Sequence, residues 1–290
     1  MDISKLLIWN VRGLNNKSRR DSVRSLIDSV KPEVVCLQET KKENISRWTV
    51  MSTLGADFDE FVFLPAEGSR GGILVAWKGN VCKAIASRVD VFSVSVQFQQ
   101  SEGPPWWFTG VYGPQSDVLK VQFLQELRNI RLTCAGPWAV GGDFNLIYKV
   151  EDKNNQNVDR AMMGRFRRLL NELELVEIDL LGRQFTWSNE REAPTLVRLD
   201  RVFVTTDWDQ LFPDCILQAL DSSISDHCPL LLGLRDSFMG KRRFHFESFW
   251  PKLDGFMEVV QQSWEQPIMV VCPLQRLADK LRRLAKNLQS

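Results

Sequence analysis

Histidine is scarce in this chain, with two among 290 residues. The six cysteines, at positions 36, 82, 134, 215, 228 and 272, form no Cys-x-x-Cys pair and follow no regular spacing. Together these shortages argue against a zinc site, because two histidines and scattered cysteines do not easily furnish four ligands. Cys36 lies inside an apolar run, which suits a reduced, buried thiol and hence a reducing compartment. No stretch reaches the roughly 20 apolar residues of a membrane span. The N-terminus has no hydrophobic signal region with a cleavage site, and Met1-Asp2-Ile3 runs almost directly into the first apolar segment. These absences lead to the expectation of a soluble, intracellular protein, in nucleus or cytoplasm, with no membrane partner.

Net charge is also nearly absent, 37 Lys/Arg against 36 Asp/Glu, but it is unevenly spread. From Ser237 to Ser290 there are nine Lys/Arg against five Asp/Glu, which leaves 28 against 31 for the preceding residues. The body is thus slightly acidic and the tail basic. If such a body binds nucleic acid it must do so through local patches and metal ions, because its overall field does not attract phosphate. The 44% hydrophobic content is enough to fill one large core.

What the chain has is a series of short apolar runs, each ending in polar residues. Leu6-Leu7-Ile8-Trp9 runs into Asn10, and Val34-Val35-Cys36-Leu37 into Gln38-Glu39-Thr40. Phe108-Thr109-Gly110-Val111 runs into Tyr112-Gly113-Pro114, and Trp138-Ala139-Val140-Gly141-Gly142 into Asp143-Phe144-Asn145. Ser225-Asp226-His227-Cys228-Pro229 precedes Leu230-Leu231-Leu232. Runs of this length and composition predict strands buried on both faces. Ile73–Trp77, Val89–Phe98 and Val197–Val204 are further predicted strands. Helices are predicted from Ser18 to Val30, from Ser116-Asp117 to about Leu132, and around Phe166, Leu169, Leu170 and Leu173, the last after a polar loop from Glu151 to Asp159. Strands and helices mixed without strict alternation indicate an α/β body with more than one sheet. Its expected extent is residues 1–236.

After Leu234 the character changes. Lys241-Arg242-Arg243 precedes an aromatic stretch containing Phe244, Phe246, Phe249 and Trp250, and Leu274, Leu277, Leu281, Leu284 and Leu288 form a helical stripe between basic residues. Such a stripe suits packing on the protein's own body or on a partner helix. Residues 237–290 are expected to be a basic, partly helical linker or tail.

The strand-end groups suit metal-assisted phosphate chemistry. Hard cations such as Mg²⁺ take oxygen ligands and few protein carboxylates, making Glu39 the best single candidate, with Asn10 and Asp226 in support. Asp143 and Asn145 lie two apart, so on extended chain they share a side, where one can orient or deprotonate a water while the other holds an oxyanion. His227 can bind or protonate a phosphoryl group, Tyr112 can donate to it, and Asp200 can fix the second imidazole nitrogen. Each piece alone has a plainer reading. Asn10 can cap a turn, Gly-Asp-Phe-Asn is a common turn composition, and Asp200 can be an ion-pair partner of Arg198 or Arg201. The ordered set points to phosphate-ester hydrolysis.

The set Trp9-Asn10, Gln38-Glu39-Thr40, Tyr112-Gly113-Pro114, Gly142-Asp143-Phe144-Asn145, Arg198-Leu199-Asp200-Arg201 and Ser225-Asp226-His227-Cys228-Pro229 resembles the endonuclease/exonuclease/phosphatase superfamily. The resemblance implies a deoxyribonuclease I-like fold, a four-layer sandwich of two packed mixed β-sheets flanked by helices, within the α/β (α+β) class. It implies Glu39 as main metal ligand with Asn10 and Asp226, Asp143 and Asn145 on the water, His227 with Asp200 on the scissile phosphate, and Tyr112 contacting that phosphate. Thr186 and Ser225 fall where related endonucleases place further substrate-site hydroxyls. Trp9-Asn10-Val11-Arg12-Gly13-Leu14 and Gly182–Asn189 are similar to the endonuclease of plant LINE-type non-LTR retrotransposons, and Arg243–Trp250 to the segment that precedes their reverse transcriptase. The resemblance therefore implies a Mg²⁺-dependent endonuclease, with Mn²⁺ as a substitute ion, that nicks one DNA strand and leaves a 3′-hydroxyl. In a longer parent protein it would be coupled to a downstream reverse transcriptase. An abasic-site endonuclease of the exonuclease III type is the alternative, and a domesticated nucleic-acid or protein-binding module a third.

Overall fold

In the computed structural model, residues 3–68, 71–222, 224–234, 255–267 and 273–288 are described. The first half of the body runs β1 (Lys5–Asn10), α1 (Lys17–Val30), β2 (Val34–Gln38), α2 (Arg47–Leu54), β3 (Glu60–Leu64), β4 (Ile73–Trp77), β5 (Lys83–Val89), β6 (Ser93–Gln99), β7 (Trp106–Tyr112) and α3 (Asp117–Thr133). The second half continues with β8 (Trp138–Asp143), α4 (Arg160–Glu172), β9 (Leu175–Glu177), β10 (Leu180–Leu181), β11 (Trp187–Ser188), β12 (Leu196–Val197), β13 (Asp200–Thr205), α5 (Thr206–Leu211), β14 (Ile216–Ala219) and β15 (Leu230–Gly233). One mixed sheet has the order β10-β14-β15-β1-β2-β4-β3 and the other β5-β6-β7-β8-β13-β9, with β11 and β12 as a separate ribbon.

The period-two alternation of these strands builds the layers. Leu6 and Ile8, Val34 and Cys36, and Ile73, Val75 and Trp77 point between the sheets, where Val94, Val96, Phe98, Phe108, Ala139, Val202 and Val204 meet them. Their alternates, Leu7, Trp9, Val35, Leu37, Leu74 and Ala76, face outward with Val23 and Ile27 of α1 and Val50 and Leu54 of α2. On the far side, Trp138, Val140 and Phe203 pack with Phe123 and Leu127 of α3 and Phe166 and Leu169 of α4. The result is the expected four layers, helix, sheet, sheet, helix, with a core on each side of each sheet. Helix starts carry the side-chain caps that short polar residues supply. Asn16 accepts from the Ser18 amide, Ser46 from Thr49 and Asp159 from Met162.

Three predicted elements are drawn differently. The strand expected over Val89–Phe98 is two strands of a hairpin, because Glu126 of α3 accepts from the amides of Val91 (2.9 Å) and Phe92 (3.0 Å) and from the Ser93 hydroxyl (2.7 Å), fixing a bend. The strand expected over Val197–Val204 breaks at Arg198-Leu199, where the chain passes from the small ribbon into the second sheet. The polar loop expected from Glu151 holds a short 3₁₀ turn, Val150–Asp152, and a buried residue, Asp152.

The chain divides into two compact units, residues 1–240 and 241–290. The second contains α6 (Phe256–Glu265), which the sequence reading did not anticipate, and α7 (Pro273–Leu288), which carries the leucine stripe. Asn287 donates to the Ser263 hydroxyl at 2.9 Å and Lys280 to the Trp264 carbonyl at 2.6 Å, tying the two helices together. Leu277 and Leu281 of the stripe are exposed. The Lys241-Arg242-Arg243 cluster and the aromatic stretch to Trp250 lie outside the described residues. Among the described residues no helix is long and apolar enough to cross a membrane.

Candidate active site

The inward-facing series of four strands each end in a polar side chain. Asn10 continues Leu6 and Ile8, Tyr112 continues Phe108 and Gly110, Asp143 continues Ala139 and Gly141, and Asp200 precedes Val202 and Val204. Tyr112 is paired with Asp143 in parallel register and Asp143 with Asp200 in antiparallel register, so the three stand in one row across the second sheet. The next row inward is Gly110, Gly141 and Val202. A Cβ at Gly110 would lie 2.3 Å from Cys36 Sγ, and one at Gly141 would lie 2.8 Å from Ile8 Cδ1. The glycines therefore let the two sheets close at this level, and Asn10 of the first sheet reaches Asp143 of the second, Nδ2 donating to Oδ2 at 2.9 Å.

From there a hydrogen-bonded chain runs through the cluster. His227 Nδ1 lies 2.8 Å from Asp200 Oδ2, and its Nε2 lies 3.5 Å from Asn10 Nδ2 and 3.7 Å from Asp143 Oδ2. Asp143 Oδ1 accepts from the Asn145 amide at 3.0 Å, and Asn145 Nδ2 donates to the Gly113 carbonyl at 2.7 Å. Glu39 and Asn145 both adopt left-handed backbone, φ 53° and 49°, a conformation that costs energy and persists where surroundings enforce it. Among the described residues, Asp143, Asp200 and His227 are the group of acidic and histidine side chains dense enough to hold a metal ion, and all three are buried.

Burial raises the proton affinity of Asp143, with the neighbouring His227 opposing the shift. Burial lowers that of His227, but the charges of Asp200 and Asp143 outweigh it and raise its pKa to about 9. Tyr112 is pushed above its ordinary range by burial and by the charges of Glu39 and Asp143, so it stays a hydroxyl donor. Burial pushes the Cys228 thiol up to about 12, which removes it as a nucleophile beside the histidine.

Seven of the expected site residues, Asn10, Glu39, Tyr112, Asp143, Asn145, Asp226 and His227, line one cavity of about 270 Å³, shared with Arg12, Gln115, Trp187 and Leu199. Asp200 stands behind His227. The two expected substrate hydroxyls, Thr186 and Ser225, are hydrogen-bonded within the protein. Buried Thr186 accepts from the amides of Leu199 and Asp200, each at 3.0 Å, and lies outside this cavity. The Ser225 hydroxyl donates to the Asn10 carbonyl at 2.7 Å and accepts from the His227 amide at 3.2 Å. They tether Asp200 and His227. Asp200 makes no ion pair with its neighbours in sequence. Arg201 pairs with Asp152 and Glu177, and Arg198 with Glu177 at 2.9 Å, forming a buried braced segment behind the pair.

Arg12 and Trp187, which lie within the motifs without an expected role of their own, both act on Asp226. Arg12 Nη1 lies 2.9 Å and Trp187 Nε1 2.8 Å from its Oδ2. Its Oδ1 is buried with no hydrogen-bond partner, a carboxylate oxygen left for another ligand. Glu39 Oε1 faces Lys41 Nζ at 2.9 Å. The oxygens of Glu39, Asn10 and Asp226 around one cavity, one of them unsatisfied, fit a hard divalent cation.

Two mixed sheets joined face to face, with a buried Asp-His pair and carboxylates at one end of the interlayer, suit the chemistry of phosphoesterases. The chain belongs to the endonuclease/exonuclease/phosphatase family, whose model matches residues 7–227. No curated protein matches the sequence. Among solved structures, the endonuclease domain of TRAS1, a telomere-specific non-LTR retrotransposon, is similar at TM-score 0.62 and 16% identity, covering 81% of this chain and all of that one. The 3′ phosphatase NExo from Neisseria, bound to a product DNA hairpin, matches at TM-score 0.62 and 16% identity over 80% of this chain and 99% of that one. The AP endonuclease LMAP from Leishmania major matches at TM-score 0.60 and 19% identity over 80% and 88%. At these identities the likeness is one of fold, and it is the deoxyribonuclease I-like fold that the sequence motifs led one to expect.

Proposed function

We propose that the chain is a Mg²⁺-dependent DNA endonuclease that nicks one strand and leaves a 3′-hydroxyl. The observation that carries this reading is the single cavity in which the Asp200–His227 pair meets Asp143, Asn145, Tyr112, Glu39 and Asp226. Glu39 and Asp226, with Asn10, would hold the ion, and Mn²⁺ would serve as a substitute. When bound, the ion supplies charge stabilisation to the phosphate and its leaving oxygen. His227, protonated at neutral pH with Nδ1 held by Asp200, presents Nε2–H to a phosphate oxygen. Tyr112 donates from the neighbouring wall. Asp143, whose raised proton affinity suits a general base, takes the proton of a water oriented with Asn145. That water attacks phosphorus, the P–O3′ bond breaks, and the departing 3′ oxyanion takes a proton from solvent water to become the hydroxyl. Thr186 and Ser225 hold the groups that act and touch no substrate in this reading.

Specificity is tested by offering supercoiled plasmid and an oligonucleotide with one abasic site side by side, each with Mg²⁺. The reading predicts nicked plasmid whose new ends a DNA polymerase extends. Cleavage confined to the abasic oligonucleotide favours the exonuclease III-type alternative. Cleavage of neither overturns both and leaves a binding module.

A further inference from the structure

We infer that a second cavity, beside the active one, holds an unpaired base, that of the nucleoside whose 3′ oxygen leaves. The protein then cuts directly 3′ of a base that has come out of the stack. The inference rests on the nuclease reading above and narrows its substrate. The second cavity, about 520 Å³, shares Glu39, Tyr112 and Gln115 with the active cavity. Neither Asp143 nor Asn145, the residues assigned to the water, lines it. In a displacement at phosphorus the attacking and leaving oxygens stand in line, on opposite sides. With the water on Asp143 and Asn145, the leaving oxygen points to the side of Glu39 and Tyr112. The nucleoside that carries this oxygen extends into the second cavity.

The lining suits a base better than backbone. Leu64, Val91, Phe92, Pro114 and Leu119 face the cavity, whereas phosphate and sugar are gripped by polar and cationic groups. Its charged pair, Glu39 and Lys41, is matched within itself at 2.9 Å. Val91 is 48% exposed, so its apolar side is available. The wall is also fixed. Glu126 accepts from the amides of Val91 (2.9 Å) and Phe92 (3.0 Å), and Leu119 stands in the first turn of α3, the helix that carries Glu126. Gln115 can donate and accept, and the Ser116 hydroxyl makes no capping bond to α3, which leaves both for the edge of a base. A paired base shows its edges in the grooves and hides its faces in the stack. Its face meets Val91, Phe92 and Leu119 after it leaves the duplex, a step that is easiest for a mismatched base.

The test uses the full chain with Mg²⁺ and duplexes of one sequence, labelled on one strand. One duplex is fully paired and the others carry a single mismatch at successive positions, with cuts mapped to the nucleotide. Wild type is expected to cut the bond immediately 3′ of the mismatched base on the order of tenfold faster than the same bond in paired duplex. Val91→Trp, which fills the cavity from its exposed wall, should bring that ratio close to one. Leu119→Trp fills it from α3 and replaces the first variant if that one does not fold. A ratio at a single bond is not moved by a general loss of folded protein. A ratio close to one in wild type, a preference for the bond 5′ of the mismatch, or a ratio that the folded variants leave unchanged overturns the inference while nicking itself stands. Protein that cuts neither paired nor mismatched duplex takes the nuclease reading down with it.

Discussion

At the residue scale the pair that matters is His227 and Asp200, 2.8 Å apart and both buried. Because burial is outweighed by Asp200 and Asp143, the folded protein keeps the imidazole proton up to a pH of about 9, against 6.5 for an ordinary histidine. A raised folded-state value means that this stabilisation is complete below pH 6.5 and is lost as pH rises through about 9. With two histidines in the chain, the ring signals are few enough to follow one by one in metal-free protein by nuclear magnetic resonance. His227, assigned by His227→Gln, is expected to titrate near 9 and to fall in Asp200→Asn; an ordinary midpoint in wild type contradicts the pairing. Arg201 makes a second prediction. It is fully buried against Asp152 and Glu177, so Arg201→Ala leaves the buried Asp152 carboxylate without its cation, while Glu177 keeps Arg198, and should cost about 3 kcal/mol in urea unfolding. A loss under about 1 kcal/mol would place the pair in the category of weak surface bridges instead. The clustering of Asn10, Asp143, Asp200 and His227 was legible because polar groups stood at the ends of apolar runs. The contacts of Arg12 and Trp187 with Asp226 were not, because they join positions 214 and 39 residues apart.

At the element scale, the site exists because four strands end on the same side of their pleat at the same level. That much follows from alternation: Leu6, Ile8 and Asn10 must share a face, as must Ala139, Gly141 and Asp143. What alternation does not reveal is how closely two sheets approach, and here Gly110 and Gly141 decide it. Gly110→Ala drives a Cβ into Cys36 Sγ at 2.3 Å and is expected to cost about 1–3 kcal/mol by overpacking. Cys36→Ala in the same chain should recover most of that loss. Thermal unfolding of the single and double variants measures the coupling, and additive losses refute the contact. The two misdrawn strands share one cause. Both bends are set by side chains from elsewhere, Glu126 against Val91–Ser93 and Thr186 against Leu199-Asp200, while the apolar pattern continues through them.

At the scale of the molecule, the three packed cores draw on residues from Ile3 to Leu234. Each buried side chain described in these cores belongs to the first unit. The chain cut after Gly240 is therefore expected to fold and to keep its nicking activity. Removing the basic tail should flatten the salt dependence of nicking between about 50 and 200 mM, because fewer cations meet phosphate. Loss of folding in the shortened chain, or an unchanged salt slope, contradicts this division of labour. The change of composition after Leu234 was legible as charge and aromatic content, but α6 was not, since its ten residues are short for a helical pattern, although Phe256, Val259, Val260 and Trp264 do stand at helical spacing.

The central claim is that the strand ends of two packed sheets build one metal-assisted phosphodiesterase site. Conversion of supercoiled plasmid to the open circular form tests it most directly, with Mg²⁺, with chelator, and in Glu39→Ala and His227→Ala proteins whose circular dichroism matches wild type. The account predicts nicking that requires Mg²⁺ and falls by at least about 10²-fold in either variant, the scale of losing a charge-stabilising or proton-donating group. Nicking that survives chelation, or that persists undiminished in both variants, contradicts it.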